Sequence, residues 1–429
     1  MGGSQCCSAS ADLKAVDTTK LLPIPEVQYE FPQDREAPFT LNIVGQFVDG
    51  VHQAEVPRTL MRAGVLKVAC GSAHFLILTE SGQVLAAGDN LYGQCTTSEP
   101  VASLMEVAIR SMSFLDIAAG SRHSIILGRT SKQKFITNVV LTFGYELALG
   151  FSDRMNKTQP TELDLGNSEE DQPAQVFANF NHSAAVTSKG KLYTWGEALF
   201  PPVRSGIMKV ELPLETDDAI IKVDFCRKSA SSVTKFGHVF TWGDNTYGEL
   251  GLPKVRKAET PIKVPNLSGI IDIAAGARHV IALDFEGVIY AFGDNSEGQC
   301  ANEDTVKRGF TTVIAKSLMG TENLQAKYVF ASESQSALVS TSGEFLVWGD
   351  NSQGKLGSVQ TSITRPTLVE SFINKKLSAV GLGQQFAVVV TGPTGAALQL
   401  KKKNQIKPVK SVEAHRRSFP SNVRLGEKL

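Results

Sequence analysis

Short apolar runs rich in β-branched and aromatic residues recur along this chain, and each is closed by a polar turn. Phe75-Leu76-Ile77-Leu78-Thr79 and Val280-Ile281-Ala282-Leu283-Asp284 show the pattern most plainly. Turn residues follow such runs at Ser81-Gly82, Ser188-Lys189-Gly190, Glu286-Gly287 and Ser342-Gly343, and each turn leads into a second β-rich stretch. Runs this short, bounded by glycine turns, predict strands rather than helices, and turn-linked pairs of them predict hairpins.

A longer repeat frames the hairpins. Trp242-Gly243-Asp244-Asn245-Thr246-Tyr247-Gly248-Glu249-Leu250 returns as Ala87-Gly88-Asp89-Asn90, as Phe292-Gly293-Asp294-Asn295 and as Trp348-Gly349-Asp350-Asn351, with weaker copies at Phe143-Gly144-Tyr145-Glu146 and Trp195-Gly196-Glu197. Upstream lies a second segment, clearest as Ile117-Ala118-Ala119-Gly120-Ser121-Arg122-His123 and Ile273 to His279, with a third copy at Val68 to His74. Degenerate copies begin at Val176, Val223, Val329 and Val380, which gives seven starts, of which six lead into the aromatic-Gly strand. The missing partner sits at the other end of the repeat array, where Thr40-Leu41-Asn42-Ile43-Val44-Gly45-Gln46 has the strand pattern and no upstream segment. First and last segments are therefore expected to complete one sheet and close a ring, which leaves no open strand edge. Spread over seven units, residues 39–395 give about 51 residues each, enough for four short strands and a connection. The turn residues suit the geometry: glycine permits a tight turn, Asp and Asn bond their own backbone and tolerate left-handed conformations, and the aromatic packs between sheets.

Composition narrows the class. Apolar residues make up 42% and charged residues 20%, enough for a large core. No apolar run reaches spanning length and no secretory pattern opens the chain, so an intracellular protein is expected, cytoplasmic or nuclear. Six scattered cysteines show no metal-ligand spacing, which argues against disulfides and structural zinc. The net charge is zero, yet the tail from Leu400 to Leu429 carries nine Lys/Arg against Glu413 and Glu427, leaving the body net negative. A specific nucleic-acid footprint on that body is not expected.

The repeated residues closely resemble the regulator-of-chromosome-condensation family, whose pattern joins a Gly-x-x-His segment to a Trp-Gly-x-Asn-x-x-Gly-Gln-Leu-Gly segment. The resemblance covers about residues 39–395 and departs from the pattern at Cys226-Arg227-Lys228-Ser229, Ser332-Glu333-Ser334-Gln335 and Gly144-Tyr145-Glu146. It implies an all-β, seven-bladed β-propeller, flanked here by disordered tails at 1–38 and 396–429. The kelch alternative needs a Gly-Gly pair in each repeat, and the chain has such a pair only at Gly2-Gly3.

Several constellations have two readings. His74, His123, His182 and His279 recur at one repeat position and could suggest a metal ring, but equivalent positions in different blades are expected to sit far apart, so structural hydrogen bonds are the favoured reading. Gly349 to Lys355 approximates a phosphate loop, with Leu356 where Ser or Thr must reach Mg²⁺, and it falls inside a repeat turn. Asp89, Asp244, Asp294 and Asp350 read as turn residues rather than acid-base pairs. No nucleophile elbow is found, and neither a cofactor nor catalysis is expected. Met1-Gly2-Gly3-Ser4-Gln5-Cys6-Cys7 approximates a dual-acylation signal on Gly2 and Cys6 or Cys7, with Cys6 at the position usually held by Ser or Thr. The basic segment Lys401 to Lys410 would support either peripheral contact with anionic lipid or nuclear import, with a merely solvated tail as the plain alternative.

The resemblance implies a monomeric protein that works by binding partners. In one class the ring binds a small GTPase and speeds nucleotide release, as the family's founding member does for Ran, although that member's wedge-like hairpin has no match here. In the other the ring is an adaptor or scaffold without exchange activity.

Overall fold

Each recurring pair of segments forms the first two strands of one antiparallel sheet. The computed structural model describes residues 40–45, 64–96, 101–109, 111–132, 135–166, 168–197, 206–301, 310–314, 325–352, 354 and 361–392. Blade 1 comprises Val65–Cys70, His74–Thr79, Val84–Gly88 and Val101–Glu106. Blade 2 comprises Met112–Ala119, His123–Lys132, Phe135–Gly144 and Lys157–Leu163, and blade 3 Pro173–Asn179, His182–Thr187, Leu192–Gly196 and Met208–Val210. Blade 4 comprises Ile220–Phe225, Ser229–Thr234, Val239–Asp244 and Lys257–Lys263, and blade 5 Ile270–Ala275, His279–Asp284, Ile289–Gly293 and Phe310–Ile314. Blade 6 comprises Ala326–Ser332, Gln335–Ser340, Phe345–Asp350 and Ser362–Leu368.

Blade 7 is assembled from both ends of the array. Its described strands run in the order Thr40–Gly45, Phe386–Gly392, Lys376–Leu382. Thr40 lies opposite Thr391 and Gly45 opposite Phe386 in antiparallel register. Asn42 reinforces the seam by donating to the Val389 carbonyl at 3.2 Å. Each first strand neighbours the first strands of both flanking blades, blade 7 against blade 1 included, so the seven sheets close a β-propeller.

Stacking sheets face to face covers the second strands on both sides. His74–Thr79, Ser229–Thr234 and Gln335–Ser340 are buried along their whole length, which explains why these segments lack an apolar-polar alternation. Phe75, Phe143, Phe225, Phe292, Phe330, Phe386 and Trp348 are fully buried in the core. Each such side chain contributes about 1.5–3 kcal/mol of transfer free energy.

The first strands share a further device, a register shift near the start of each, such as Val65/Lys67, Ile220/Lys222 and Ala326/Tyr328. A bulge sharpens strand twist and re-aims side chains. Here it accompanies ion pairs between adjacent blades, Lys67 with Asp116 at 2.7 Å and Lys222 with Asp272.

Candidate functional site

In an antiparallel sheet alternate connections emerge at the same end, so the first-to-second-strand loops and the turns after the third strands share one face. Backbone bonds tie the two sets together: Asp89 N–H donates to Ala73 O, Asp244 to Lys228 O, Asp294 to Arg278 O and Asp350 to Ser334 O, at 2.7–2.9 Å. The glycine before each aspartate makes this approach feasible. Gly243 has φ +110°, and a Cβ there would lie 2.4 Å from the Lys228 carbonyl oxygen. Gly88, Gly293 and Gly349 share the positive φ.

After the glycine, Asp and Asn divide the work. The Asp carboxylates accept from the backbone two residues on, Leu91, Thr246, Ser296 and Ser352 respectively. Asn90, Asn245 and Asn295 accept from Cys95, Leu250 and Cys300 across the turn through Oδ1. The asparagines do not adopt the left-handed backbone the sequence reading allowed them, because their side chains already span the turn and a later glycine, such as Gly93 or Gly248, takes the positive φ. Gly349-Asp350-Asn351 ends a strand in the same way.

The histidines join blade to blade. His74 Nε2 lies 3.0 Å from Ser124 Oγ, His123 Nε2 lies 2.8 Å from Ser183 Oγ, and His279 Nε2 lies 2.9 Å from Ser336 Oγ. Each serine donates its only proton to a turn carbonyl, Gln94 O, Ala148 O or Gln299 O, at 2.8 Å. The hydroxyl must then accept from the imidazole, so each ring carries a proton on Nε2. Burial lowers His74 and His279 to about 4 and His123 to about 3. His182, also held below its usual value by burial, sets its two ring nitrogens against the carbonyls of Arg227 and Glu197 instead, and in the neutral form donates to one of them at a time. Charge on His74 or His182 disfavours charge on His123, while among the described residues no three His, Cys, Asp or Glu side chains come together as a metal site requires. Each of these histidines opens a second strand, beside the first strands that neighbour one another around the ring. The glycine of Gly-x-x-His also has a steric role, since a Cβ on Gly71, Gly120 or Gly276 would lie 2.0–2.3 Å from the imidazole Cε1.

The eroded starts keep the junctions with other chemistry. In blade 6, Ser332 donates to Gly383 O and Gln335 to Gln384 O, each at 3.0 Å. In blade 7, Phe386 replaces histidine and faces Phe75 of blade 1, ring centroids 6.3 Å apart, where blades 2, 3 and 6 have serine. In blade 4, Cys226 and Ser229 stand at the glycine and histidine positions, and Cys226 is a free, buried thiol.

Loop backbones link successive blades around the same mouth of the ring: Ser72 N–H to Ser121 O, Ser121 to Phe180 O, Arg227 to Ala277 O and Ala277 to Glu333 O. Arg227 bonds both oxygens of Glu333, two blades away, at 2.9 and 3.0 Å, and its guanidinium sits 5.3 Å from the Phe180 ring centroid. Phe180 and Glu333 both have positive φ, 52° and 42°, a conformation bulky residues seldom take. Nearby, Asn179 donates to the Phe225 and Ala275 carbonyls and to Asp224, whose carboxyl burial raises to about 8. Sequence reasoning missed this group; the signal was available as loss of Gly from the starts at Val176, Val223 and Val329, and of His from the last two.

Two stacked pairs complete the face. The Arg122 guanidinium lies 5.1 Å from the Tyr92 ring centroid and Arg278 4.2 Å from that of Tyr247, each arginine belonging to the blade after its tyrosine. Gly2, Cys6, Cys7 and the basic segment 401–410 lie outside the described residues.

A family model described as an RCC1-like domain matches residues 41–389. The E3 ubiquitin-protein ligase HERC2 of Homo sapiens is 26% identical over 354 residues, covering 78% of this chain and 7% of that protein. The secretion-regulating guanine nucleotide exchange factor of Bos taurus is 28% identical over 280 residues, covering 57% of this chain and 58% of that one. The chain thus spans less than two thirds of the length of these relatives. Among solved structures, yeast RCC1 (Prp20) bound to Kap60 superposes with a TM-score of 0.69 at 16% identity, covering 83% of this chain and 89% of that one. Human WBSCR16 gives a TM-score of 0.69 at 19% identity, covering 83% and 99%.

Proposed function

From the premise that the chain belongs to the RCC1-like domain family, matched over residues 41–389, we propose that it is a non-enzymatic binding propeller that regulates a small GTPase, as a guanine nucleotide exchange factor. The observation that carries this reading is a continuous loop face locked by blade-to-blade bonds such as His123–Ser183 and Arg227–Glu333. Exchange requires a rigid surface whose contacts favour the nucleotide-free partner over the loaded one, and a pre-organised face spends little binding free energy on its own ordering. The name of the Bos taurus relative supports exchange in particular.

A second reading, a scaffold without exchange activity, is favoured by the HERC2 match, in which a propeller-length stretch is 7% of a much longer protein. Release of fluorescent nucleotide from a panel of loaded small GTPases separates the two. Accelerated release from one GTPase, with binding to its nucleotide-free form, is the expected result. No acceleration and no such binding across the panel leaves the scaffold.

A further inference from the structure

We propose that the junction of blades 4 and 5 on the loop face docks an acidic segment of a protein partner, through Lys228, Lys254, Arg256 and Arg278. All four are exposed. Backbone geometry brings them around one turn: Lys228 O accepts from Asp244, Arg256 O accepts from Asn245 at 3.0 Å, Asp244 pairs with Lys257, and Arg278 stacks over Tyr247. The fold does not require these charges, because the repeat position of Lys228 and Arg278 holds Ala73, Asn181, Ser334 and Gln385 in four other blades, and a cation again only at Arg122 of blade 2.

The local acids leave the cations in excess. Asp244 and Asp294 turn their carboxylates into their own turns, bonding Thr246 and Ser296, Glu259 pairs with Lys257 at 3.4 Å, and Glu249 is buried with its carboxyl raised to about 7 by that burial. A concentrated positive patch on a net-negative body is complementary to a short acidic segment, and the stacked Arg278–Tyr247 pair has the composition of an interface anchor. An extended polyanion such as a DNA duplex would have to lie along a body whose net charge is negative.

This proposal rests on the reading of the ring as a protein-binding module. The test uses the purified full chain, a fluorescent decapeptide of alternating Glu and Gly, the same peptide with Gln for Glu, and a short DNA duplex at low salt. The Glu peptide should bind, and Lys228→Glu/Arg256→Glu should weaken it about tenfold or more, a 1.4 kcal/mol change per decade. Lys189→Glu/Lys235→Glu, the same charge change on the second-to-third-strand turns, should leave it intact, and melting temperatures should match. Equal weakening by both double variants, binding of the Gln peptide, or tighter binding of the duplex would overturn the assignment. A GTPase found with the panel above that binds Lys228→Glu/Arg256→Glu as well as the unmodified chain would overturn the docking surface and leave the protein-binding reading standing. Patch-specific binding of the Glu peptide without any GTPase response would sustain the surface and count against exchange.

Discussion

At the scale of single residues, the repeat assigns each side chain a task that can be checked by removing it. Gly243 combines a positive φ with a carbonyl where a Cβ would go, so Gly243→Val should destabilise the fold by about 3 kcal/mol or more, read from chemical denaturation; an unchanged midpoint would contradict the turn geometry. Glu249 makes a different prediction. It stands where sister turns have Gln94 and Gln299, and Gln94 accepts from Tyr92 N–H while its amide donates to Asp89 at 3.1 Å. Glu249 accepts from Tyr247 N–H in the same way but has a carboxyl toward Asp244. Burial raises it from 4.5 to about 7, Asp244 adds to the rise and Arg278 opposes it. A raised folded-state value means stability present below pH 4.5 and lost as pH rises through 7. Glu249→Gln should therefore raise the melting temperature at pH 8 and flatten its pH dependence between 4.5 and 7. Glycine and histidine roles were legible in the sequence because they recur. Ser124, Ser183 and Ser336 were not, because a serine within a buried strand has no distinctive pattern until the neighbouring blade is placed beside it.

At the scale of elements, the second strands act as joints. Ser183→Ala would leave His123 Nε2–H buried without its acceptor, which should cost about 1–3 kcal/mol by denaturant titration, while keeping the fold. The histidines also set an acid limit: their folded-state values near 3–4 lie below the ordinary 6.5, so the stability they confer is present above pH 6.5 and lost as pH falls toward those values. Melting temperature should fall on acidification from pH 6.5 to 4, and replacing His123 by Gln should shrink that fall. Strand order, hairpins and blade count followed from turn residues and periodic spacing. The shared bulges and the Arg227–Glu333 bridge could not, since a register shift leaves no compositional mark and the bridge joins blades that are not adjacent in the ring.

At the scale of the whole molecule, the functional argument depends on the ring, because only a closed array holds the seven loop sets on one rigid face. The seam in blade 7 is where that closure is made, between strands more than three hundred residues apart in sequence. The most direct measurement is an oxidative cross-link between cysteines placed at Thr40 and Thr391, which face each other at one end of the seam. Antiparallel partners stand about 4.5–5.5 Å apart at Cα, within the range of a disulfide. The account predicts an intramolecular bond in the native protein that leaves the fold intact and raises its resistance to denaturant. Failure to cross-link, or cross-linking only between molecules, would contradict a propeller closed by its own two ends.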